Sequence, residues 1–215
     1  MRAGKNGNRI MGGVTNPHNV VWSQGLVQRA DRSRVLKHRG LTVWMTGLPA
    51  SGKSTVGMLL ERRLLERGML SYRVDGDNLR HGLNAGLGFT AQERAENVRR
   101  AGEACLLLAD AGVIAIACLV SPYIRDRAAV RARHDESQVP FLEVFVDVPV
   151  SVAESRDPKG HYKKARAGTM TGFTGVDDPY EAPAAPEIVI RTHERSPDEC
   201  VDLLAARVVA AALEC

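Results

Sequence analysis

Short apolar segments alternate along the chain with longer stretches in which apolar residues recur at helical spacing. Five segments are predicted as strands: 41–46, 70–74, 113–120, 141–148 and 187–191. Helices are predicted at 56–67, at 91–110 and from 197 onward. The run 113–120 is apolar throughout, which is typical of a strand buried on both faces. This alternation predicts an α/β fold with a mostly parallel sheet and helices on both faces.

Local signals mark where two of the helices begin. Thr90 with Glu93 three residues later forms a capping box, and Gly112 ends the helix that follows. Ser196-Pro197-Asp198-Glu199 combines an N-cap, a proline at the first helical position and an acid at the third. Both patterns place a helix directly beside a predicted strand, as the alternating fold requires.

The segment between the first strand and the first long helix fits the phosphate-binding loop pattern G-x-x-x-x-G-K-[ST]. It reads Gly47-Leu48-Pro49-Ala50-Ser51-Gly52-Lys53-Ser54-Thr55. Glycines let successive backbone N–H groups turn toward phosphate oxygens, and the helix N-terminus adds its positive end. Lys53 is predicted to reach the β and γ phosphates and Ser54 to ligate Mg²⁺. The motif predicts nucleoside triphosphate binding on a three-layer P-loop NTPase fold.

Composition restricts the classes of protein to which the chain is expected to belong. With 215 residues and 44% hydrophobic residues, it suits one compact domain. The net charge is +4 and the basic residues are scattered, so no nucleic-acid surface is predicted. No apolar run approaches the roughly 18 residues that span a membrane, and no secretory signal is recognised, so a cytoplasmic location is expected. The four cysteines show no metal-ligand spacing and are predicted to be free thiols.

The predicted organisation has three parts. Residues 1–15 are predicted to be disordered, and residues 16–40 to form an N-terminal arm with a short helix. Residues 41–215 are predicted to form the P-loop domain. Within it, residues of about 157–186 interrupt the alternation with glycine-rich turns, prolines and a basic cluster. We expect this segment to be a mobile lid that closes over the phosphates and excludes water.

Two acidic residues follow the strand 70–74. Asp75 and Asp77 lie two positions apart, which in an extended segment points both side chains the same way. Asp75 is therefore predicted to face Mg²⁺ and the attacking hydroxyl, where it holds metal-bound water or accepts the hydroxyl proton. The alternative is that both residues only cap a turn.

A second cluster begins with Arg80 and Phe89. Arg94 and Asn97 lie three apart on the helix that Thr90 caps, so they share a face. An arginine there is suited to donate two hydrogen bonds to one anionic group of a substrate. Phe89 is predicted either to stack on a purine or to fill the core.

These motifs together resemble the adenylyl-sulfate (APS) kinases over nearly the whole chain, from about residue 19 to the last helix. The resemblance rests on the phosphate-binding loop and on further motifs at 75–78, 80–84, 87–89, 96–100, 109–112, 121–123, 144–147, 156–160, 162–168 and 172–181. It implies transfer of the ATP γ-phosphate to the ribose 3′-hydroxyl of adenosine 5′-phosphosulfate (APS). The products would be 3′-phosphoadenylyl sulfate (PAPS) and ADP, with Mg²⁺ as cofactor.

The resemblance also implies roles for individual residues. Phe89 and Phe173 are expected to sandwich the APS adenine. The residues implied to contact the substrate are Asp77, Asn78, Arg80, Phe89, Arg94, Asn97, Val120, Ser121, Lys159, Gly172 and Phe173. Arg156 and Arg195 are implied beside the ATP adenine, and Lys53, Asp75 and Ser121 as catalytic residues. Ser121 either forms a phosphoserine intermediate or positions substrate for direct transfer, and we favour direct transfer.

Departures from the family pattern are few. Cys118-Leu119-Val120 replaces the common Ser-Phe-Ile, and Thr169-Met170-Thr171 replaces Glu-Ile-Lys. The main alternative function is that of a GTPase switch, but the chain lacks the N-K-x-D motif that is typical of GTPases. Another small-molecule kinase of the same fold is the runner-up. A homodimer is the expected assembly, with ATP sulfurylase as a further partner.

Overall fold

The computed structural model describes residue 23 and residues 25–214. The predicted disordered segment 1–15, most of the arm before Gly25, and Cys215 lie outside the described residues. The part of the arm that is described forms helix α1, which spans Arg29–Leu36.

Five parallel strands form one sheet in the order β2-β3-β1-β4-β5. The strands are β1 (Leu41–Thr46), β2 (Ser71–Asp75), β3 (Ile114–Cys118), β4 (Phe141–Val146) and β5 (Ile188–Ile190). The strand β1, which precedes the phosphate-binding loop, lies at the centre and pairs with both β3 and β4. The predicted parallel α/β sheet is therefore confirmed.

The remaining helices connect the strands or follow the last one. They are α2 (Lys53–Glu66), α3 (Gly76–Leu79), α4 (Ala91–Asp110), α5 (Ile124–Glu136), α6 (Val150–Arg156), α7 (His161–Arg166) and α8 (Pro197–Leu213). The capping boxes of Thr90 and Ser196 are present as predicted. Helix α2 begins three residues before its predicted start, because Gly52 adopts a left-handed conformation (φ 99°) from which the helix begins at once.

Three predicted strands are longer than the observed ones, and one of them is β5, which spans Ile188–Ile190 rather than 187–191. Strand β4 ends at Val146 rather than at 148, because its partners β1 and β5 end opposite it at Thr46 and Ile190. Strand β3 likewise ends at Cys118, opposite Asp75, the last residue of β2. Residues beyond the end of a neighbouring strand have no backbone hydrogen-bond partners in the sheet, so the chain leaves the sheet there.

Alternate residues of β1 face the two layers of helices. Leu41, Val43 and Met45 belong to the core formed with α2 and α8. Trp44 belongs to the opposite core, formed with α4 and α5. Helices therefore cover both faces of the sheet, and this arrangement leaves the carboxyl edge of the strands for a ligand.

The predicted lid, residues 157–186, packs against the body of the domain. It contains α7, and Tyr162 of that helix is fully buried in a cluster with Leu48, Ala153 and Phe173. The Tyr162 hydroxyl donates to the carbonyl of Pro49, 3.2 Å away. The lid thus contacts the phosphate-binding loop directly, while its mobility stays a prediction.

Candidate active site

A cleft of about 900 Å³ lies at the carboxyl edge of the sheet. Most of the predicted site residues line it: Pro49, Ala50, Ser51, Gly52, Lys53, Ser54, Thr55, Asp75, Asp77, Asn78, Arg80, Phe89, Arg94, Asn97, Val120, Ser121, Arg156, Lys159, Gly172 and Phe173. Gly47, Leu48 and Arg195 are not among the lining residues. Gly47 and Leu48 lie at the base of the phosphate-binding loop, and for this reason they do not line the cleft.

The phosphate-binding loop depends on glycine at its two ends. Gly47 has φ 155°, and a side chain there would lie 2.6 Å from the carbonyl oxygen of Val146. Gly52 has φ 99°, and Ala50 between them also has a positive φ of 59°. The loop therefore passes too close to β4 and turns too sharply for a larger residue at Gly47.

Lys53 is almost fully buried beneath this loop. Its ammonium donates to the carbonyls of Gly47 and Leu48 at 2.9 and 2.7 Å, and to the Ser51 hydroxyl at 3.2 Å. Burial lowers the pKa of Lys53 to about 8, against the opposing influence of Cys118 and Asp75. The lysine is thus held at the phosphate-binding loop by carbonyl oxygens.

Asp75 is the last residue of β2 and the N-cap of α3. One carboxylate oxygen accepts from the Ser54 hydroxyl at 2.8 Å and from Arg73 at 2.5 Å. The other accepts from the backbone N–H of Asp77 at 3.0 Å. Asp75 therefore caps the start of α3, and the same side chain also contacts the phosphate-binding loop through Ser54.

The expectation that Asp75 and Asp77 lie in one extended segment is wrong, although both residues line the same cleft. The extended segment ends at Asp75, and Asp77 lies within α3, where the strand periodicity of two no longer applies. Asp77 instead forms an ion pair with Lys159 of the lid, and Asn78 follows it in the same helix. This ion pair joins the lid to α3, which follows β2.

Phe89 is 59% exposed, so the alternative that it fills the core is excluded in this structure. Its ring lies 4.2 Å from the guanidinium carbon of Arg80 and 5.6 Å from that of Arg94. Arg94 donates to the carbonyls of both Phe89 and Gly172, and thereby connects the start of α4 to the lid. An exposed aromatic ring beside two arginines suits a flat ligand that carries negative charge.

Asn97 lies on α4 at the base of this cluster. Its side-chain oxygen accepts from the amide of the fully buried Asn84 at 2.9 Å. Because that oxygen is occupied, the Asn97 NH₂ group is the part that is free to donate into the cleft. Asn84 was not singled out from the sequence, although it lies within the motif 80–84.

Phe173 is largely buried, in contrast to Phe89. Its ring meets the ring of Tyr162 edge to face at a centroid distance of 4.8 Å. The backbone N–H groups of Gly172 and Phe173 donate to the carboxylate of Asp177 at 2.6 and 2.7 Å, which fixes this turn of the lid. The two phenylalanines therefore line the same cleft from different elements.

Ser121 lies just beyond β3 and is 3% exposed. Its backbone adopts φ 39°, a left-handed conformation that is uncommon for serine. Its hydroxyl oxygen accepts from the indole N–H of Trp44 at 3.1 Å. The serine is therefore fixed from the core side, with its neighbour Val120 also on the cleft wall.

Arg156 and Thr192 join the far end of the cleft to the phosphate-binding loop. The guanidinium of Arg156 donates to the side-chain and backbone oxygens of Thr192, both at 2.8 Å. Thr192 in turn donates to the carbonyl of Ser51 at 2.7 Å. Arg195, which was predicted beside Arg156, is exposed and does not line the cleft.

Comparison with known proteins places this chain among APS kinases. A family model described as adenylylsulphate kinase matches residues 39–191. The chain is 53% identical to adenylyl-sulfate kinase 2, chloroplastic, of Arabidopsis thaliana over 87% of its length, and it spans 63% of that longer relative. It is 49% identical to the adenylyl-sulfate kinase of Clostridium acetobutylicum over 86% of its length and 90% of the relative.

A solved structure shows the same similarity. The Mycobacterium tuberculosis APS kinase, solved in complex with AMPPNP and APS, is 50% identical to this chain. The match has a TM-score of 0.75 and covers 80% of this chain and 97% of that one. The similarity in sequence is therefore matched by a similarity in fold over that 80% of the chain.

Proposed function

The chain belongs to the adenylylsulphate kinase family, and on that basis we propose that it transfers the γ-phosphate of ATP to the 3′-hydroxyl of APS. The products are PAPS and ADP. The observation that carries this proposal is the convergence of a phosphate-binding loop and an arginine-flanked aromatic ring on one cleft. A relative of 50% identity has been solved with an ATP analogue and APS, which supports the same pair of ligands here.

The donor half of the cleft suits ATP. The loop from Gly47 to Thr55 presents backbone N–H groups and the start of α2 to the phosphates. Lys53 neutralises charge on the transferred group, and Arg156 lies toward the adenine side. Arg195, which the family resemblance implies beside the ATP adenine, lies three residues after Thr192 in the loop that follows β5.

Mg²⁺ fits the residues at the junction of the two halves. The Ser54 hydroxyl and an Asp75 carboxylate oxygen lie 2.8 Å apart, and both are the oxygen ligands that Mg²⁺ prefers. Within the described ranges, no group of three or more His, Cys, Asp or Glu side chains is placed to hold a metal. A Mg²⁺ ion here would be held by the Asp75 carboxylate, the Ser54 hydroxyl and the substrate phosphates, and it would neutralise charge on those phosphates.

The acceptor half suits adenosine phosphosulfate. Phe89 and Phe173 offer aromatic surface to the adenine, and Arg80 and Arg94 offer paired donors to the phosphosulfate. Asn97 donates its NH₂ group to the ribose side, with Lys159, Asp77, Asn78, Val120 and Gly172 completing the pocket. In this arrangement the 3′-hydroxyl oxygen attacks the γ-phosphorus and the bond to the ADP oxygen breaks. The hydroxyl proton passes to Asp75.

Ser121 is proposed to position the substrate, with the phosphoryl group passing directly to the ribose. Its hydroxyl is buried and held by Trp44, and its backbone is fixed in an unusual conformation. A group held in this way favours a fixed contact over the movement that a covalent intermediate requires. Rapid-quench experiments with γ-labelled ATP test this proposal, because a phosphoenzyme that forms without APS would support the covalent route.

The assembly and location stay predictions. We propose a homodimer and association with ATP sulfurylase in the cytoplasm, on the basis of the family resemblance. No helix in the described part of the chain is long and apolar enough to cross a membrane.

The decisive test is a coupled ADP-release assay with several acceptors. We expect Mg²⁺-dependent ADP release with APS that exceeds the rate with adenosine, AMP or gluconate by at least tenfold. GTP hydrolysis that is independent of any acceptor would refute the proposal in favour of a switch. A faster reaction with gluconate than with APS would favour a different small-molecule kinase of this fold.

A further inference from the structure

We propose that Arg127 is a positioning residue that fixes the Ser121 turn and the C-terminal end of the lid, residues 178–182, as one unit. This inference rests on the proposed function, because it concerns the acceptor side of the same cleft. Arg127 lies on α5, outside the cleft wall, and its guanidinium reaches three separate elements.

The hydrogen bonds of Arg127 define this role. Its Nε donates to Glu143 on β4 at 2.8 Å. One terminal nitrogen donates to the carbonyl of Ser121 at 2.7 Å, and the other donates to the carbonyl of Glu181 at 2.7 Å. Since the guanidinium is planar and its donors are fixed relative to one another, these three acceptors are held in one geometry.

The Ser121 turn requires such support. A serine with φ 39° lies in a sparsely populated region, and it keeps that conformation only when its surroundings determine it. Trp44 holds the side chain of Ser121, whereas Arg127 holds its carbonyl. The two contacts fix both ends of the residue from the core.

The end of the lid is attached to the same turn by further bonds. The backbone N–H of Glu181 donates to the carbonyl of Pro122 at 2.9 Å, and the Glu181 carboxylate accepts from the N–H of Ile124 at 2.7 Å. The Tyr123 hydroxyl donates to Asp178 at 2.8 Å. Two groups connect both segments to the sheet. The Thr46 hydroxyl on β1 donates to the carbonyl of Val120 at 2.8 Å and shares a hydrogen bond of 3.0 Å with the Tyr180 hydroxyl. Arg127 connects both segments to β4 through Glu143.

The burial of Arg127 shows that its position is fixed. Its side chain is 3% exposed and its partner Glu143 is 11% exposed. A buried guanidinium must satisfy its donors, so it cannot leave any of its three acceptors without a substantial penalty. Residues 178–182 of the lid are therefore anchored beside Ser121, independently of any movement in the rest of the lid.

Arg127→Lys is the test variant, with Arg131→Lys as its matched control. A lysine keeps the charge beside Glu143 but has one ammonium and cannot reach three separate acceptors. Arg131 lies one turn further along α5 and also pairs with Glu143, at 3.7 Å, and with Glu187, at 2.8 Å. Arg131 therefore tests the effect of the ion pairs without the bonds to Ser121 and Glu181.

Trp44 supplies a readout that does not depend on catalysis. The chain has two tryptophans, so Trp22→Phe leaves Trp44 as the single indole reporter, and its N–H is bonded to Ser121. We measure the Trp44 indole N–H resonance, amide hydrogen exchange of residues 178–182, and the kinetic constants for both substrates, with thermal unfolding as a check on folding.

We expect Arg127→Lys to shift the indole resonance and to speed exchange at 178–182 by at least tenfold. We expect its kcat/KM for APS to fall at least tenfold, while KM for ATP stays within about twofold. The described hydrogen bonds of Arg127 involve no residue of the loop 47–55, which is why ATP binding is spared. Arg131→Lys is expected to change none of these quantities beyond twofold.

Unchanged resonance and exchange in a folded Arg127→Lys variant would overturn the inference, as would an equal effect of Arg131→Lys. If Arg127→Lys does not fold, the double variant Arg127→Gln/Glu143→Gln removes both buried charges together, and the same measurements decide. Failure of the wild-type protein to phosphorylate APS would overturn the proposed function alone, since the resonance and exchange measurements need no substrate.

Discussion

Gly57 sets how closely the helix after the phosphate-binding loop approaches the sheet. It lies in α2, one turn beyond Lys53, and packs over β3. A Cβ at this position would lie 2.4 Å from the Sγ of Cys118, with Arg73 and Ile116 next at 3.5 and 3.6 Å. We therefore predict that Gly57→Ala destabilises the protein, against the usual preference of helices for alanine.

Two opposing terms set the magnitude of this effect. Alanine in place of glycine within a helix favours folding by about 1 kcal/mol. An added methyl group in a packed core disfavours it by about 1–3 kcal/mol. Cys118 is itself buried against Met45 and the carbonyl of Lys53, so its sulfur has little room to move. We expect a net loss of about 1 kcal/mol in the free energy of unfolding.

A double-mutant cycle in urea measures the clash directly. In a Cys118→Ala background the sulfur is absent, and Gly57→Ala should then stabilise the protein by about 0.5–1 kcal/mol. The sign of the effect should therefore reverse between the two backgrounds. The single variant should also raise KM for ATP, because the start of α2 carries Lys53 and Ser54. A Gly57→Ala variant as stable as the wild type, with the same effect in both backgrounds, would refute the reasoning.

Three further predictions concern Phe89, Asp75 and His134. Phe89→Ala should raise KM for APS roughly tenfold, since stacking on a base contributes about 1–3 kcal/mol, while thermal stability stays nearly unchanged because the ring is exposed. Asp75→Asn should lower kcat roughly 100-fold or more while ATP still binds in calorimetry. Burial lowers the pKa of His134 from 6.5, so the free energy of unfolding should fall as the pH drops below 6.5 toward the lowered folded value.

Each of these predictions has its own control. Loss of stability in Phe89→Ala without a change in KM for APS would make Phe89 a packing residue. Near-normal turnover by Asp75→Asn would show that Asp75 neither binds Mg²⁺ nor accepts the hydroxyl proton. His134 bonds to Thr42 and to the carbonyl of Val130, each at 2.9 Å, and a folded His134→Gln variant should lose part of the acid sensitivity. Identical pH dependence in both proteins would contradict the role of His134.

Local chemistry explains which parts of the fold could be predicted from the sequence. The start of α4 was predicted because Thr90 and Glu93 bond only to each other and to adjacent backbone. Helix α5 was not predicted, because its buried positions are Arg127, Val130 and His134. Two of these three residues are polar, so no apolar period marks the helix. Their burial depends on partners from other elements, which local patterns do not reveal.

The candidate active site could likewise be predicted only in part from the sequence. The phosphate-binding loop could be recognised because its residues are contiguous and their backbone geometry demands glycine. The exposure of Phe89 and the burial of Phe173 could not be derived, since both depend on where the lid packs. The pairing of Asp77 with Lys159 joins residues far apart in sequence. The strand pattern could not be extended to Asp77, because β2 ends at Asp75 and Asp77 lies in α3.

The strand order has a consequence for how the protein is made. Strand β1 pairs with β3 and β4. Leu41 can therefore pair only after Ile114 has been synthesised, and Thr42 can pair with β4 only after Phe141 has been synthesised. Strand β2 pairs with β3 and therefore cannot complete the sheet with β1 alone. The central strand β1 thus leaves the ribosome well before its partners, and contacts of such high sequence separation form slowly. Synthesis of this chain should therefore pass through a stage in which the segment carrying the phosphate-binding loop needs protection from aggregation.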